Sequence, residues 1–247
     1  MIIAVISIGG IKMIKVVYAM THHVYYMILP SLYSLKAANP DAQVFILCED
    51  DELPFRLPMP ATIINVSGQK YFPPDSVNYN NAFKYINLLK VCYPDILPRE
   101  VDKVIHLDID TIIWDSLQPL YDIDLDGKWF AACPEYHGTY KPFGDTYYNM
   151  GVAVINLEQM RKDYIWPPMM VFLNAYQQPW ADQDAWNYYG ISCGKVVPFD
   201  LRYNESPING MTDDPAIIHY CGISDWWTNR KMARVECLDL FKQIASI

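Results

Sequence analysis

The stretch that most constrains the fold is an apolar run at residues 104–113, which two carboxylates interrupt. Apolar runs of this length that are rich in β-branched residues are typical of buried strands. Because alternate residues of a strand share a face, Asp108 and Asp110 are predicted to converge where the strand ends. Two carboxylates this close repel each other unless a cation or a shared proton offsets their charge. Oxygen ligands suit Mg²⁺ or Mn²⁺, so the run predicts a buried strand that ends in a divalent metal site.

An Asp-x-Asp pair alone is weak support for a metal site, since most such pairs are solvated turn residues. A second acidic run, residues 122–127, begins like a calcium-binding EF-hand loop. That loop requires a glutamate at its twelfth position, where this chain has Cys133. We therefore predict a solvated turn at residues 122–126.

Strand-like and helix-like segments alternate along the chain, which predicts an α/β fold. Predicted strands lie at residues 2–8, 14–19, 44–48, 63–66, 104–113, 130–133, 152–157 and 195–199, with a last one ending near His219. Predicted helices lie at residues 25–38, 82–93, 167–176, 184–189 and 232–245. Strand, helix, strand in this order implies a right-handed crossover and a parallel sheet. Ligands of such sheets bind beyond the carboxyl ends of the strands, where residues 21–23 and 108–110 are expected.

Composition narrows the classes of partner. The 247 residues, 52% of them hydrophobic, suffice for a single domain, residues 1–247, with 1–13 as an extra N-terminal strand and 200–247 as a closing segment. Met13 is an alternative translation start. A net charge of −9 argues against nucleic acid and anionic membranes as partners. The six cysteines lack Cys-x-x-Cys spacing, which predicts reduced thiols in a cytoplasmic protein. The sequence has neither a basic signal region nor an apolar run long enough to span a membrane, which predicts a protein without a transmembrane segment.

Four segments together match a known pattern in order and spacing: residues 102–120, 148–157, 182–184 and 219–222. In them the chain resembles glycosyltransferase family 8, most closely its bacterial lipooligosaccharide α-galactosyltransferases and more distantly glycogenin. The similarity runs from about residue 14 to 227. It implies a GT-A fold, in which a Rossmann-like, mostly parallel sheet flanked by helices binds a UDP-sugar with Mn²⁺ across the diphosphate. It also implies transfer with retention of the anomeric configuration.

Carried over position by position, the resemblance implies that Asp108, Asp110 and His219 ligate the metal. Nucleotide and donor sugar would be contacted by Ala19, Thr21, His23, Lys90, Asp108, Ile109, Asn149, Asp182 and Gly222. Gln183 is expected near the reacting face of the anomeric carbon, and we favour front-face attack by the acceptor. Asp184 is the alternative nucleophile. A segment rich in Asp and Gln is equally typical of a capped helix N-terminus.

Four residues depart from the family pattern. His22 and His23 stand where acidic and amide residues are usual, so stacking or hydrogen bonding to the base is as plausible for His23 as a solvated position. Lys90 replaces an arginine and keeps its charge without the forked geometry. Asp225 replaces a lysine that reaches the donor phosphate in the family. Arg230 or Lys231 would then have to supply the missing positive charge.

Three functions are compatible with these features. The first is a retaining hexosyltransferase that uses Mn²⁺, or Mg²⁺, and transfers glucose or galactose from its UDP-sugar to a glycan or glycoconjugate. The second, suggested by Asp225, is a catalytically weak UDP-sugar-binding protein. The third is a nucleotidyltransferase, which would need a glycine-rich basic loop that residues 19–24 lack. We expect the first. For the loop at residues 135–146, covering the donor and touching an acceptor is as plausible as an ordinary surface position.

Overall fold

The computed structural model describes residues 13–80, 84–135, 140–206 and 211–221. Its strands are β1 (Lys15–Ala19), β2 (Gln43–Cys48), β3 (Ala61–Asn65), β4 (Lys103–Leu107), β5 (Thr111–Ile113), β6 (Phe130–Pro134), β7 (Tyr148–Asn156), β8 (Val196–Pro198) and β9 (Ile217–His219). Seven of them form one sheet in the order β3-β2-β1-β4-β7-β6-β8, while β5 and β9 form a separate antiparallel pair. The strand predicted at residues 2–8 and the helix predicted at 232–245 lie outside the described residues.

The first half of the sheet is parallel, as predicted. Strands β1, β2, β3 and β4 run in the same direction, and β1 lies between β2 and β4. The apolar residues of β1, β2 and β4 are almost wholly buried, which explains why these three strands read as continuous hydrophobic runs rather than as an alternating pattern, whereas β3 at the sheet edge is only partly buried. The carboxyl ends of β1 and β4 consequently meet at one edge of the sheet.

The second half contains an antiparallel strand. Strand β7 runs antiparallel to both β4 and β6, and β8 pairs in parallel with β6. Strand β7 begins at Tyr148, four residues earlier than predicted, so the segment expected to lead into this strand is part of it. This register places Gly151 beside the end of β4.

The helices are α1 (Ile28–Ala38), α2 (Lys84–Leu88), α3 (Tyr93–Ile96), α4 (Gln118–Tyr121), α5 (Leu157–Asp163), α6 (Trp166–Ala175) and α7 (Asp182–Ser192). Short 3-10 segments precede α1 (His22–Met27), follow α2 (Leu89–Cys92) and precede β9 (Leu201–Tyr203). The helix predicted at residues 82–93 is therefore divided, and α7 begins two residues earlier than predicted. No helix in the described part of the chain combines the length and apolar character needed to cross a bilayer.

The continuous strand predicted at residues 104–113 is wrong. Strand β4 ends at Leu107, residues 108–110 turn, and β5 begins at Thr111 and pairs with β9 instead of the main sheet. The turn is held because the Thr111 hydroxyl donates a hydrogen bond to the Asp108 carbonyl, at 2.8 Å. Asp122, Asp124 and Asp126 are exposed, as predicted for a solvated turn, but Leu125 between them is buried, and Gly127 follows in the left-handed region with φ of 65°.

Candidate active site at the carboxyl edge of the sheet

The turn at residues 108–110 is fixed by hydrogen bonds on both sides. The Asp108 N–H donates to the carbonyl of Gly151 on β7, and the Tyr220 N–H donates to the carbonyl of Asp110. The two aspartates are therefore brought together by a turn between two strands, and not by the alternation within one strand. Their side chains remain partly accessible, with exposed fractions of 30% and 24%.

A buried chain of hydroxyl groups supports this turn from below. Tyr18 on β1 contacts Ser31 on α1 at 2.9 Å, and Ser31 contacts Thr111 at 2.9 Å. Because the Thr111 hydroxyl gives its proton to the Asp108 carbonyl, it must accept from Ser31, which in turn accepts from Tyr18. The first strand and first helix thus brace the backbone of Asp108.

His219 reaches the same place from near the far end of the described chain. In the β5–β9 pair it lies opposite Thr111, and its ring is 2% exposed. Its Nε2 atom lies 3.4 Å from an oxygen of Asp110 and 3.7 Å from an oxygen of Asp108. The ligand atoms of the three residues lie within 4.8 Å of one another, so the predicted set forms a group that could hold a metal ion. Two carboxylates and one imidazole suit Mn²⁺.

The second oxygen of Asp108 faces a different set of groups. Lys90 donates to it at 2.7 Å, and Nε2 of His106 lies 2.9 Å from it. Burial disfavours the charged carboxylate, but Lys90, His106 and His219 outweigh it and hold the pKa of Asp108 well below its usual range. Asp108 is therefore anionic at neutral pH, with one oxygen anchored and the other facing His219.

His106 acts as a neutral hydrogen-bond donor in this arrangement. Burial and the nearby Lys90 charge lower its pKa to about 4. Its Nδ1 atom lies 3.0 Å from the hydroxyl of buried Tyr93, so Nδ1 accepts from Tyr93 while Nε2 donates to Asp108. Tyr93 and His106 together fix the orientation of this carboxylate.

Asn149 and Gln183, expected beside the donor sugar, share one partner. Both donate their side-chain amides to the same oxygen of Glu135, at 3.1 and 3.2 Å. The Gln183 carbonyl oxygen accepts the N–H of Met150, at 2.9 Å. Gln183 is thus oriented by bonds to both ends of its amide.

Asp182 is buried at the first turn of α7. One of its oxygens has no hydrogen-bond partner and lies 3.9 Å from the Lys90 ammonium. Burial raises the pKa of Asp182 to about 7, although Lys90 opposes the shift. Lys90 therefore lies between two carboxylates. Its ammonium group hydrogen bonds to Asp108 but lacks the fork with which an arginine could bind two acceptors side by side.

Asp184 is enclosed by protein groups. It is fully buried, and its two oxygens accept hydrogen bonds from the Tyr147 hydroxyl at 2.7 Å and from the Trp180 N–H at 2.8 Å. Burial raises its pKa. Asp184 thus binds backbone ahead of α7, while Ala181 at the N-cap position forms no side-chain capping bond.

The residues expected at the nucleotide lie at the end of β1. Ala19 ends this strand, and the pairing of Val17 with His106 puts Ala19 and Asp108 at the same edge of the sheet. Thr21 is buried, whereas His23 is exposed with its ring 3.8 Å from that of His22. His22 in turn contacts Glu49 at 2.6 Å.

Other predicted positions are only partly described. Ile109 lies in the turn between the two aspartates and is half-buried. Gly222, Asp225, Arg230 and Lys231 lie outside the described residues, as do Tyr136 and His137 of the loop at residues 135–146.

Sequence reasoning missed several residues that surround the predicted ones. His106 could have been found, because it lies two residues before Asp108 and so shares its face of the strand. Gly151 and Glu135 lie in segments that were singled out, residues 148–157 and 135–146, but no role was predicted for either, and Asn204 gave no signal. Each contacts the site through pairings between segments that are distant in sequence.

Comparison with known proteins relates the chain to glycosyltransferases. A sequence profile described as "Glycosyl transferase family 8" matches residues 53–231. A "Putative glycosyltransferase" of Haemophilus influenzae is 28% identical over 186 residues, covering 66% of this chain and 56% of that protein. "General stress protein A" of Bacillus subtilis is 24% identical over 186 residues, covering 63% of this chain and 65% of that protein. The chain thus spans less than two thirds of the length of these relatives.

Solved structures show the same fold. The galactosyltransferase LgtC in complex with donor and acceptor sugar analogs has a TM-score of 0.66 at 20% identity, with 94% of this chain and 95% of that chain covered. The glycosyltransferase GlyE of Streptococcus pneumoniae has a TM-score of 0.67 at 18% identity, with 96% of this chain and 61% of that chain covered. These likenesses establish the GT-A fold that the sequence resemblance predicted. With the profile match over most of its length, the chain belongs to glycosyltransferase family 8.

Proposed function

We propose that this protein is a retaining hexosyltransferase that moves glucose or galactose from a UDP-sugar to a glycan or glycoconjugate acceptor. Mn²⁺ is the proposed ion, with Mg²⁺ as the alternative. The observation that carries the proposal is the convergence of Asp108, Asp110 and His219, whose ligand atoms lie within 4.8 Å of one another at the carboxyl edge of the sheet. Ligands of such sheets bind at this edge.

The candidate ligand atoms of Asp108, Asp110 and His219 suit a divalent cation. Asp108 directs one oxygen to His219 and keeps the other on Lys90, so its charge is both present and oriented. Burial opposes protonation of His219, but Asp110 and Asp108 outweigh it and raise the pKa of this imidazole, which shows how negative the group is without a cation. A bound dication would offset the negative charge that develops on UDP as the sugar–phosphate bond breaks.

The other side chains then have distinct roles toward the donor. The unpartnered oxygen of Asp182 offers a buried acceptor for a sugar hydroxyl, a group whose binding would remove the cost of an unsatisfied polar atom. Gln183 holds a fixed amide next to Asp182, where it faces the reacting sugar. Lys90 supplies positive charge between Asp108 and Asp182.

The geometry supports front-face attack more than a covalent intermediate. A nucleophilic carboxylate must present a free oxygen to the anomeric carbon. Asp184 has neither exposure nor a free oxygen, since Tyr147 and Trp180 occupy both. We therefore assign Asp184 to positioning α7, so that the acceptor hydroxyl itself attacks on the face from which UDP leaves.

The test is the release of UDP and the transfer of sugar from UDP-glucose and UDP-galactose, with Mn²⁺ or with chelator. Asp110→Asn should reduce the metal-dependent rate at least about 100-fold, because losing a metal ligand should cost at least as much as losing a residue that only orients a ligand. Asp126→Asn, in the exposed turn, removes the same charge away from the site and should leave the rate within about twofold. Product anomers identified by NMR would establish retention.

Equal rates in wild type and Asp110→Asn would contradict the metal site. Tight binding of UDP and Mn²⁺ without turnover of either donor would instead favour the catalytically weak UDP-sugar-binding protein.

A further inference from the structure

We propose that Asn204 is a positioning residue that decides which nitrogen of His219 carries the hydrogen, and so keeps the lone pair of Nε2 directed at Asp108 and Asp110. The proposal deepens the proposed function, since it rests on His219 being a metal ligand. It concerns a residue outside the four sequence segments on which the family resemblance is based.

Asn204 is held rigidly beside β9. It follows the 3-10 segment Leu201–Tyr203, and its N–H donates to the carbonyl of Leu201. The next residue, Glu205, donates its N–H to Ile217 and accepts the N–H of His219 through its carbonyl. Asn204 itself is fully buried. Its side chain therefore has a fixed place next to the imidazole ring.

The orientation of the Asn204 amide follows from a backbone group. The Gly151 N–H donates to the side-chain oxygen of Asn149, at 3.0 Å, so this oxygen is an acceptor. The Asn204 atom that faces it, at 3.0 Å, must then be the NH₂ group. The carbonyl oxygen of Asn204 is consequently the atom that faces Nδ1 of His219, at 2.9 Å.

This orientation determines the proton on His219. A carbonyl oxygen can only accept, so Nδ1 must carry a hydrogen. The lone pair of a neutral imidazole is then on Nε2, the atom that lies 3.4 Å from Asp110. With the other tautomer, Nε2 would carry a hydrogen toward the carboxylates and could not ligate a metal. A hydrogen bond to the second ring nitrogen is how proteins commonly orient a metal-binding histidine.

The tautomer can be observed directly in the metal-free protein. Long-range ¹⁵N–¹H correlation spectra, recorded at a pH where the ring is neutral, report which nitrogen of His219 carries the hydrogen. His219→Gln identifies the signals. We expect hydrogen on Nδ1 in wild type and in Asn204→Asp, which keeps an acceptor, and on Nε2 in Asn204→Leu, which has none. Asn39→Leu is the matched control, because Asn39 is also buried and donates one and accepts one side-chain hydrogen bond.

The affinity for Mn²⁺ alone, measured by calorimetry, gives a second readout. Asn204→Leu should weaken binding about 10- to 100-fold, and Asn39→Leu should leave it within about twofold even though it too loses stability. Hydrogen that stays on Nδ1 in Asn204→Leu, or Mn²⁺ affinity that does not change, would overturn the proposal. If the proposed metal site itself were wrong, the result would be different. Wild type and Asp110→Asn would then bind Mn²⁺ equally weakly, whichever nitrogen of His219 carries the hydrogen.

Discussion

Gly151→Ala should disable the metal site by displacing one ring. A Cβ atom at Gly151 would lie 2.5 Å from Nε2 and 2.8 Å from Nδ1 of His219, where ordinary contacts begin at 3.4 Å. The backbone of Gly151 is not in the left-handed region, so the effect is steric. The ring would have to retreat by about 1 Å, several times the roughly 0.2 Å tolerance of metal–ligand distances.

The size of the effect can be read from thermal unfolding. At a Mn²⁺ concentration 100 times the wild-type Kd, binding should stabilise wild type by about 2.7 kcal/mol. For a domain of this size that raises Tm by roughly 5–11 °C, at about 2–4 °C per kcal/mol. If affinity falls about 100-fold, the same Mn²⁺ stabilises Gly151→Ala by about 0.4 kcal/mol and raises Tm by roughly 1–2 °C.

Gly190→Ala separates loss of the site from loss of packing. Its Cβ would lie 2.5 and 2.7 Å from ring atoms of buried Phe130, so it also forces a methyl group against an aromatic ring. Such overpacking typically costs about 1–3 kcal/mol, and both variants should be less stable than wild type without metal. Gly190→Ala should nevertheless keep the full Mn²⁺-dependent rise in Tm. An equal rise in Gly151→Ala, or an equal loss in Gly190→Ala, would refute the reasoning.

Two further predictions concern stability. The Arg161 guanidinium donates hydrogen bonds to five backbone carbonyls around the start of β4, so Arg161→Met should lower the free energy of unfolding in urea by about 2–4 kcal/mol; a change under about 0.5 kcal/mol would contradict this role. Burial raises the pKa of Asp182 to about 7, so between about pH 4 and pH 7 the folded protein keeps a proton that the unfolded chain releases. The contribution of Asp182 to the free energy of unfolding therefore falls as pH rises, by at most about 1.4 kcal/mol per pH unit. Asp182→Asn should be more stable than wild type at pH 8 but equal to it at pH 4, and a stability difference that does not depend on pH would exclude the raised pKa.

Much of the site could be predicted because it is local. The apolar run before Asp108 had to be buried, and its composition predicted β4 together with the candidate metal-binding pair that follows it. The resemblance to glycosyltransferase family 8 in the segments at residues 148–157 and 219–222 linked Asn149 and His219 to the same site before any contact was known. These features survive in the sequence since strand periodicity and ligand chemistry are properties of short segments.

The details of the site depended on contacts between distant segments. The sequence predicted one strand through residue 113, but pairing of β5 with β9 drew the chain out of the main sheet and produced the turn at Asp108. Likewise, the burial of Asp184 follows from its contact with Tyr147, 37 residues away, which no local pattern encodes.

The sequence by itself therefore determined the α/β class, the strand that ends just before the acidic pair and, through the family resemblance, the identity of the three candidate ligands. The tertiary structure decided how they meet: a turn aims the carboxylates, Gly151 leaves room for the imidazole, and Asn204 sets its hydrogen. The physical reason is that secondary structure and ligand type depend on neighbouring residues, whereas orientation depends on hydrogen bonds and steric contacts that arise when remote segments pack.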